Sequence, residues 1–262
     1  KPFAAKEIID SVESILNRQD KFLEKQETTL RLLRKNISYA LPHELRTPLQ
    51  SILGYNHMMM SEYETLSREE FKMMSETAFQ AGTRLQRLIE NTIAYAQLEI
   101  IASDPEQQRQ LRNNILSDPV KVIEQCARQV ADRHQRLSDL TLKLDDKVLR
   151  MSRENLRRIV EELVDNAFKF TQEGETVTIT TDVTEKHYIF CVKDEGRGMT
   201  NEDINSIGAY MQFQRWFFEQ QGMGLGLAIV KLLVKLYGGE ISFKSIPNPG
   251  LQVEVRIPLL KE

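Results

Sequence analysis

Residues Glu161–Phe170 read EELVDNAFKF. Leu163, Val164 and Ala167 recur at helical spacing, and Leu156, Ile159 and Val160 extend the same apolar face upstream. Ser152 stands where an N-cap belongs. The segment is therefore a helix buried along one side. Yet Glu162 and Asn166 lie four residues apart, with Lys169 three further on, so a polar line runs along the same helix. Alone, Glu-x-x-x-Asn would read as a solvated stripe. On so apolar a helix, with two glycine-rich loops downstream, it reads as a site. Glu and Asn oxygens suit Mg²⁺, which keeps several waters and bridges phosphates.

Around this helix the chain mixes element types. Val120 to Val130 is a helical stripe, and LTLKL and VLRM read as short strands. TVTITTDV and YIFCVKD are β-rich. Leu225 to Tyr237 is a helix that stops at Gly238-Gly239, and EISFKS with LQVEVRIPL forms a closing hairpin. Helices with antiparallel strands predict an α+β two-layer sandwich over 119–262.

The two glycine loops are DEGRGM, with Asp194, Gly196 and Gly198, and GMGLGL, with Gly222, Gly224 and Gly226. The first follows a strand and the second opens a helix. Glycine lets backbone approach a ligand closely, and a helix N-terminus offers unpaired N–H groups suited to phosphate. A dinucleotide fingerprint fits poorly, because the third glycine of GMGLGL falls one residue early and no strand precedes it. The Lys-Ser/Thr of a P-loop is missing as well. For either loop alone, a tight turn with no ligand remains open.

The first hundred residues hold only two glycines, Gly54 and Gly82, a composition for long helices. Leu16, Leu23, Leu30 and Ile37 repeat every seven residues, with Leu33 and Ala40 at the complementary heptad position and Gln19 and Gln26 there earlier. Residues 19–36 read as a parallel coiled-coil seam with a polar start; the alternative is an amphipathic helix packed on its own domain. The pattern continues through Leu45, Leu49, Ile52 and Met59, although Pro42 and Pro48 flank His43-Glu44 in YALPHELRTPLQ. An interior proline removes a helical hydrogen bond and costs about 3 kcal/mol. Ser67 with Glu70 makes a capping box for a second helix, whose stripe is Phe71, Met74, Ala78, Ala81, Leu85, Leu88 and Thr92. Two long helices over 37–100 form a hairpin. One apolar stripe per helix buries too little alone, and two copies suffice as a four-helix bundle, so a homodimer is expected. Residues 101–118 turn polar, lose their period and read as a linker.

A net charge of −3 over 262 residues implies no general attraction to nucleic acid or membrane. No apolar run reaches the roughly 18 residues of a membrane span, and no secretory signal is visible. Cys126 and Cys191 make neither a disulfide framework nor a metal motif, which suits a cytoplasmic protein. The chain begins at Lys1, which reads as a fragment of something longer.

Taken in order, HELRTPL, ELVDNAFKFT, DEGRGM and GMGLGL resemble the phosphoacceptor, asparagine and two glycine boxes of the sensor histidine kinases. The likeness spans residues 20–262 in the family's order and spacing. It implies a dimerisation and histidine-phosphotransfer hairpin followed by a Bergerat-type ATP-binding domain, the fold shared with gyrase and mismatch-repair ATPases. It implies His43 as the nucleophile that accepts the γ-phosphoryl of ATP, with Glu44 taking its proton or orienting the ring. Thr47 would help place water for dephosphorylating a partner. Asn166 would ligate Mg²⁺, with Glu162 orienting a water or the metal, and Lys169 would reach a phosphate. Asp194 would accept a hydrogen bond from the adenine amino group, Gly196 and Gly198 would let the loop pass the base, and Phe170 would belong to the cofactor-binding set. Gly222, Gly224, Leu225 and Gly226 would hold the phosphates. Between the loops, Tyr210, Phe213 and Arg215 resemble the F box, where Arg215 can approach the γ-phosphate; the aromatic cluster there also reads as lid packing. Pro42 departs from the family, which more often has a small polar residue before the histidine. The opening KPFAAKEIIDSVESIL resembles the last strand end and helix of a receiver domain over 1–18, implying a hybrid protein; an ordinary helix start is the alternative.

The resemblance implies a protein-histidine kinase that passes its phosphoryl group to an aspartate of a response-regulator receiver. Two other classes fit the residues less well. Clamping ATPases lack a HELRTP helix on a dimeric hairpin. A non-catalytic scaffold, or a unit acting mainly as phosphatase, would not need every nucleotide motif present here.

Overall fold

The computed structural model describes residues 41–199, 225–246 and 250–259. The expected receiver helix (1–18) and coiled coil (19–36) lie outside them. The chain divides into two compact units, Lys1–Ser103 and Asp104–Glu262.

In the first unit, α1 (Leu41–Ser61) packs against α2 (Arg68–Ser103). Helix α1 runs without interruption through Pro48, whose ring is buried. Having no N–H, Pro48 leaves the Glu44 carbonyl without its usual partner in the helix. The capping box forms as expected. The Glu70 carboxylate accepts from the Ser67 N–H at 2.9 Å and its hydroxyl at 2.7 Å, and the Glu70 N–H donates back to Ser67 Oγ at 3.2 Å.

The stripe read from the sequence is only half of what the hairpin carries. Met74 and Ala78 are buried, and Ala81, Leu85, Leu88 and Thr92 half-buried. Phe71, assigned to that stripe, stays half exposed. A second apolar line faces outward: Phe79, Ile89, Ile93 and Ile100 on α2, and Leu49, Leu53 and Met60 on α1. Phe79 is 76% exposed. At 3.6 residues per turn this line lies roughly a quarter-turn around each helix from the covered one.

In the second unit, Asp104 caps α3 (Pro105–Leu111), its carboxylate accepting from the Glu106 and Gln107 N–H groups at 2.8 and 3.3 Å. The stretch 101–118, read as a linker, is thus largely helical. It lacks an apolar period because α3 buries no residue. Leu116 then bridges Leu149 antiparallel. VLRM, read as a strand, supplies only this bridge; Leu149 and Met151 are buried all the same.

Helices α4 (Pro119–Arg133), α5 (Arg153–Phe170) and α6 (Leu225–Leu236) cover a five-stranded sheet. Its strands are β1 (Leu140–Lys143), β2 (Val177–Val183), β3 (His187–Asp194), β4 (Glu240–Ile246) and β5 (Gly250–Pro258), in spatial order β1-β2-β3-β5-β4. Among the described strands only β1 and β2 pair in parallel. Strict alternation turns Val177 and Ile179, Tyr188, Phe190 and Val192, and Val253, Val255 and Ile257 toward the helices. Register aligns Ile179, Val192, Val253 and Phe243 in one row. The opposite face carries Lys193, Gln252, Glu254 and Arg256. This is the α+β sandwich expected.

Two helices end the same way. After α6, the Gly239 N–H donates to Val234 O at 2.9 Å and the Gly238 N–H to Lys235 O at 3.0 Å, with Gly238 at φ +72°. After α4, the Arg136 N–H donates to Ala131 O at 2.9 Å and the Gln135 N–H to Asp132 O at 2.8 Å. Here the left-handed position is filled by Gln135 at φ 57°. A side chain in that region costs about 1–2 kcal/mol, part of which glycine's greater chain entropy gives back. Gln135→Gly should stabilise the second unit by about 0.5–1 kcal/mol in urea unfolding; a lower midpoint with unchanged slope would contradict this.

Candidate functional site

Helix α5 is where the site is built. The Ser152 hydroxyl accepts from the Asn155 N–H at 3.2 Å and starts the helix. Its apolar face then drives it into the core, which carries Glu162 and Asp165 down to 6% and 5% exposure. Asn166 remains half-buried. Glu162 lies against the first turn of α6: a Cβ on Gly226 would collide with its Oε2. A side chain at this position would have to displace the carboxylate, so the constraint is contact rather than backbone conformation. A carboxylate beside a helix N-terminus is favoured by the dipole.

At its other end α5 meets the first glycine loop. A Cβ on Gly196 would collide with the Phe170 carbonyl, which also accepts from the Arg197 N–H at 3.4 Å. The Arg197 guanidinium lies 4.8 Å from the centre of the Phe170 ring. Asp194 ends β3, buried, and its Oδ1 accepts from the Gly196 N–H at 3.0 Å and the Leu251 N–H at 3.3 Å. Burial pushes its pKa above the usual carboxylate value against the pull of those two donors, and the Glu175 charge adds to the rise. Gly198, at φ +68°, turns the loop back past Gly250.

Of the residues singled out in the sequence, Glu162, Asn166 and Phe170 thus lie along α5, Leu225 and Gly226 at the start of α6, and Asp194, Gly196 and Gly198 on the loop against Phe170. Lys169 is engaged elsewhere than expected. Its Nζ lies 2.6 Å from Asp165 Oδ2, while His134 Nε2 meets Oδ1 of the same carboxylate at 2.9 Å. Arg215, Gly222 and Gly224 lie outside the described residues. His43, Glu44 and Thr47 fall within the first turns of α1, with Glu44 half-buried and Thr47 exposed. The sequence reading missed Asp165, His134 and Arg136. Asp165 had a signal, as a charge on the apolar side of α5. His134 and Arg136 follow a helix end and had none.

Among the described residues, no three His, Cys, Asp or Glu side chains gather into a metal cage. Glu162 and Asn166 offer one carboxylate and one amide. That sparse oxygen set fits Mg²⁺, which takes its remaining ligands from water and phosphate.

Residues 33–100 match the family described as the His Kinase A (phospho-acceptor) domain. Residues 151–261 match the histidine kinase-, DNA gyrase B- and HSP90-like ATPases. The sensor histidine kinase YvrG of Bacillus subtilis is 30% identical over 250 residues, 95% of this chain and 42% of that protein. The histidine protein kinase DivJ of Caulobacter vibrioides is 29% identical over 221 residues, 84% of this chain and 36% of that one. The chain therefore spans less than half the length of these curated relatives. Among solved structures, the Acinetobacter baumannii histidine kinase AdeS superposes with a TM-score of 0.61 at 21% identity, covering 84% of this chain and 98% of that one, a likeness of fold.

The raised pKa of Asp194 carries a stability consequence. The folded state holds this proton more tightly than the unfolded chain, so stability falls as pH climbs from the ordinary carboxylate value through the folded one, and the penalty persists above it. Asp194→Asn keeps an oxygen for both N–H donors and removes the buried charge. The variant should melt at or above wild type at pH 7, with the advantage shrinking as pH approaches about 4. A melting temperature well below wild type at pH 7 would contradict this account.

Proposed function

Since the chain belongs to the histidine kinase family, we propose that it phosphorylates its own His43 with ATP and passes the phosphoryl group to an aspartate of a response-regulator receiver. The observation that carries this reading is the convergence on α5: Glu162 against the start of α6, and Phe170 against the Asp194 loop, on a chain that also bears an HELRTPL helix. Asp194 Oδ1 holds the loop through two N–H donors, leaving Oδ2 to accept from the adenine amino group. Lys169 and the start of α6 face the phosphates. Lys169 exchanges Asp165 for a phosphate oxygen, and His134 stays on Asp165 as the carboxylate's companion. Mg²⁺, held by Asn166 and Glu162, would neutralise charge on the phosphate oxygens.

In the first step an imidazole nitrogen of His43 gives its lone pair to the γ-phosphorus. The bond to the β–γ bridging oxygen breaks, its electron pair leaves with ADP, and the ring proton passes to Glu44 or water. In the second, a receiver carboxylate attacks the same phosphorus, the P–N bond breaks, and the imidazole takes back its electron pair and a proton. Thr47 stands exposed one turn beyond His43, which supports a companion role in placing water for dephosphorylating the receiver. No helix among the described residues is long and apolar enough to cross a membrane, and the two free cysteines accord with a cytoplasmic setting.

The outward apolar line on both helices supports a homodimer through the hairpin, because a second copy would cover it as a four-helix bundle. Ile93→Glu should therefore sediment as a monomer; a dimer of unchanged affinity would count against this arrangement.

The kinase reading is tested with labelled ATP and Mg²⁺. Acid-labile, alkali-stable phosphate should appear on the wild-type chain and disappear in His43→Gln and Asn166→Ala. Equal labelling of His43→Gln would sink the assignment.

A further inference from the structure

Arg136 belongs to no motif, yet its side chain makes six hydrogen bonds. Its side chain is 9% exposed. Nε donates to Asp139 Oδ2 at 2.7 Å. One terminal nitrogen donates to the Phe168 carbonyl at 3.2 Å, the Thr171 carbonyl at 3.0 Å and Thr171 Oγ1 at 2.9 Å. The other donates to the carbonyls of Gln172 and of Glu175, the latter at 2.9 Å. The guanidinium also lies 5.1 Å from the centre of the Phe168 ring. Asp139 completes the knot by accepting from the Gly174 N–H at 3.0 Å. One cation thus holds the last turn of α5 and the whole turn 171–175 that follows.

Capping a helix C-terminus calls for one or two carbonyl partners. Most acceptors here lie beyond the helix, in the turn, and that turn is tied at both ends to the loop carrying Asp194. At one end Phe170 offers its carbonyl to the Arg197 N–H and its ring to the Arg197 guanidinium. At the other, the Thr176 N–H donates to Glu195 Oε2 at 2.9 Å. A shift of the turn therefore moves both supports of the loop together. A planar fork of five donors spans such a set of acceptors, and a single ammonium does not.

We propose that Arg136 is a positioning residue for the adenine side of the nucleotide site, acting through the 171–175 turn and Phe170 on the Asp194–Gly198 loop. This rests on the nucleotide reading given above. Arg136→Lys keeps the charge and loses the fork. It should raise KM for ATP by about tenfold or more while kcat changes less than about threefold, because Glu162 and the start of α6 are held by other contacts. Asp139→Asn, which loosens the anchor while keeping Arg136, should move KM in the same direction and serves if the lysine variant does not fold.

Tyr237→Phe is the control. Its hydroxyl accepts from the Ser152 N–H at 3.3 Å and from Asn155 Nδ2 at 2.8 Å, at the opposite end of α5. Titration of the full chain with a fluorescent ATP analogue, beside melting curves, separates the outcomes. Weaker binding in Arg136→Lys and Asp139→Asn, with Tyr237→Phe binding as wild type even where it melts lower, supports the positioning role. Wild-type affinity in both Arg136→Lys and Asp139→Asn overturns it, and so does a loss in Tyr237→Phe that matches theirs at equal loss of melting temperature. A wild-type chain that binds no analogue overturns the nucleotide reading and this proposal with it.

Discussion

Three carboxylates, Glu162, Asp165 and Asp194, are almost wholly withdrawn from water, and the second unit is organised by the need to keep them there. A buried charge costs several kcal/mol unless something compensates it. Each is compensated differently. Asp165 has an ammonium on one oxygen and an imidazole on the other. Glu162 rests at the positive end of a helix. Asp194 accepts from two backbone N–H donors among the described residues, and burial raises its proton affinity against their pull. This carboxylate, with its proton affinity raised, sits on the loop that would meet the base. It stands where a ligand's own donor would complete its hydrogen bonding.

On the reading proposed above, the same helix serves as core and as ligand wall. That double duty explains why its environment tolerates so little. Gly226 is small because a carboxylate occupies the space of its missing side chain, and Gly196 because a main-chain carbonyl does. Neither glycine has a positive φ. A glycine motif is commonly credited to backbone freedom; at these two positions the cause is crowding from α5.

Much of this was legible in the residues. Alternation gave β2, β3 and β5, the Ser67/Glu70 and Ser152 caps gave helix starts, and Gly238-Gly239 gave a helix stop. The failures have physical causes. VLRM has the composition of a strand, but Leu149 finds its only ladder partner in Leu116, so burial rather than pairing fixes it. The polar run after residue 103 is helical because an aspartate cap and a proline at the first turn nucleate it without any apolar face. On α2, spacings of three and four describe one stripe well, and they cannot tell a side chain covered within the hairpin from one a quarter-turn away. His134 and Arg136 were invisible because, Asp139 apart, their partners lie some thirty residues on, across a contact that only the folded chain creates.

Pro48 sits buried in an unbroken α1, four residues beyond a carbonyl that lost its donor. Flexing a helix ordinarily stretches bonds on the convex side. At this turn one bond of the ladder is already gone, so bending the rod next to the histidine has one bond fewer to strain. Its compliance is written into the covalent chemistry of an imino acid, where neither temperature nor solvent can restore the missing bond. The residue that would carry the phosphoryl group is therefore mounted beside a gap in the hydrogen-bond ladder of its own support.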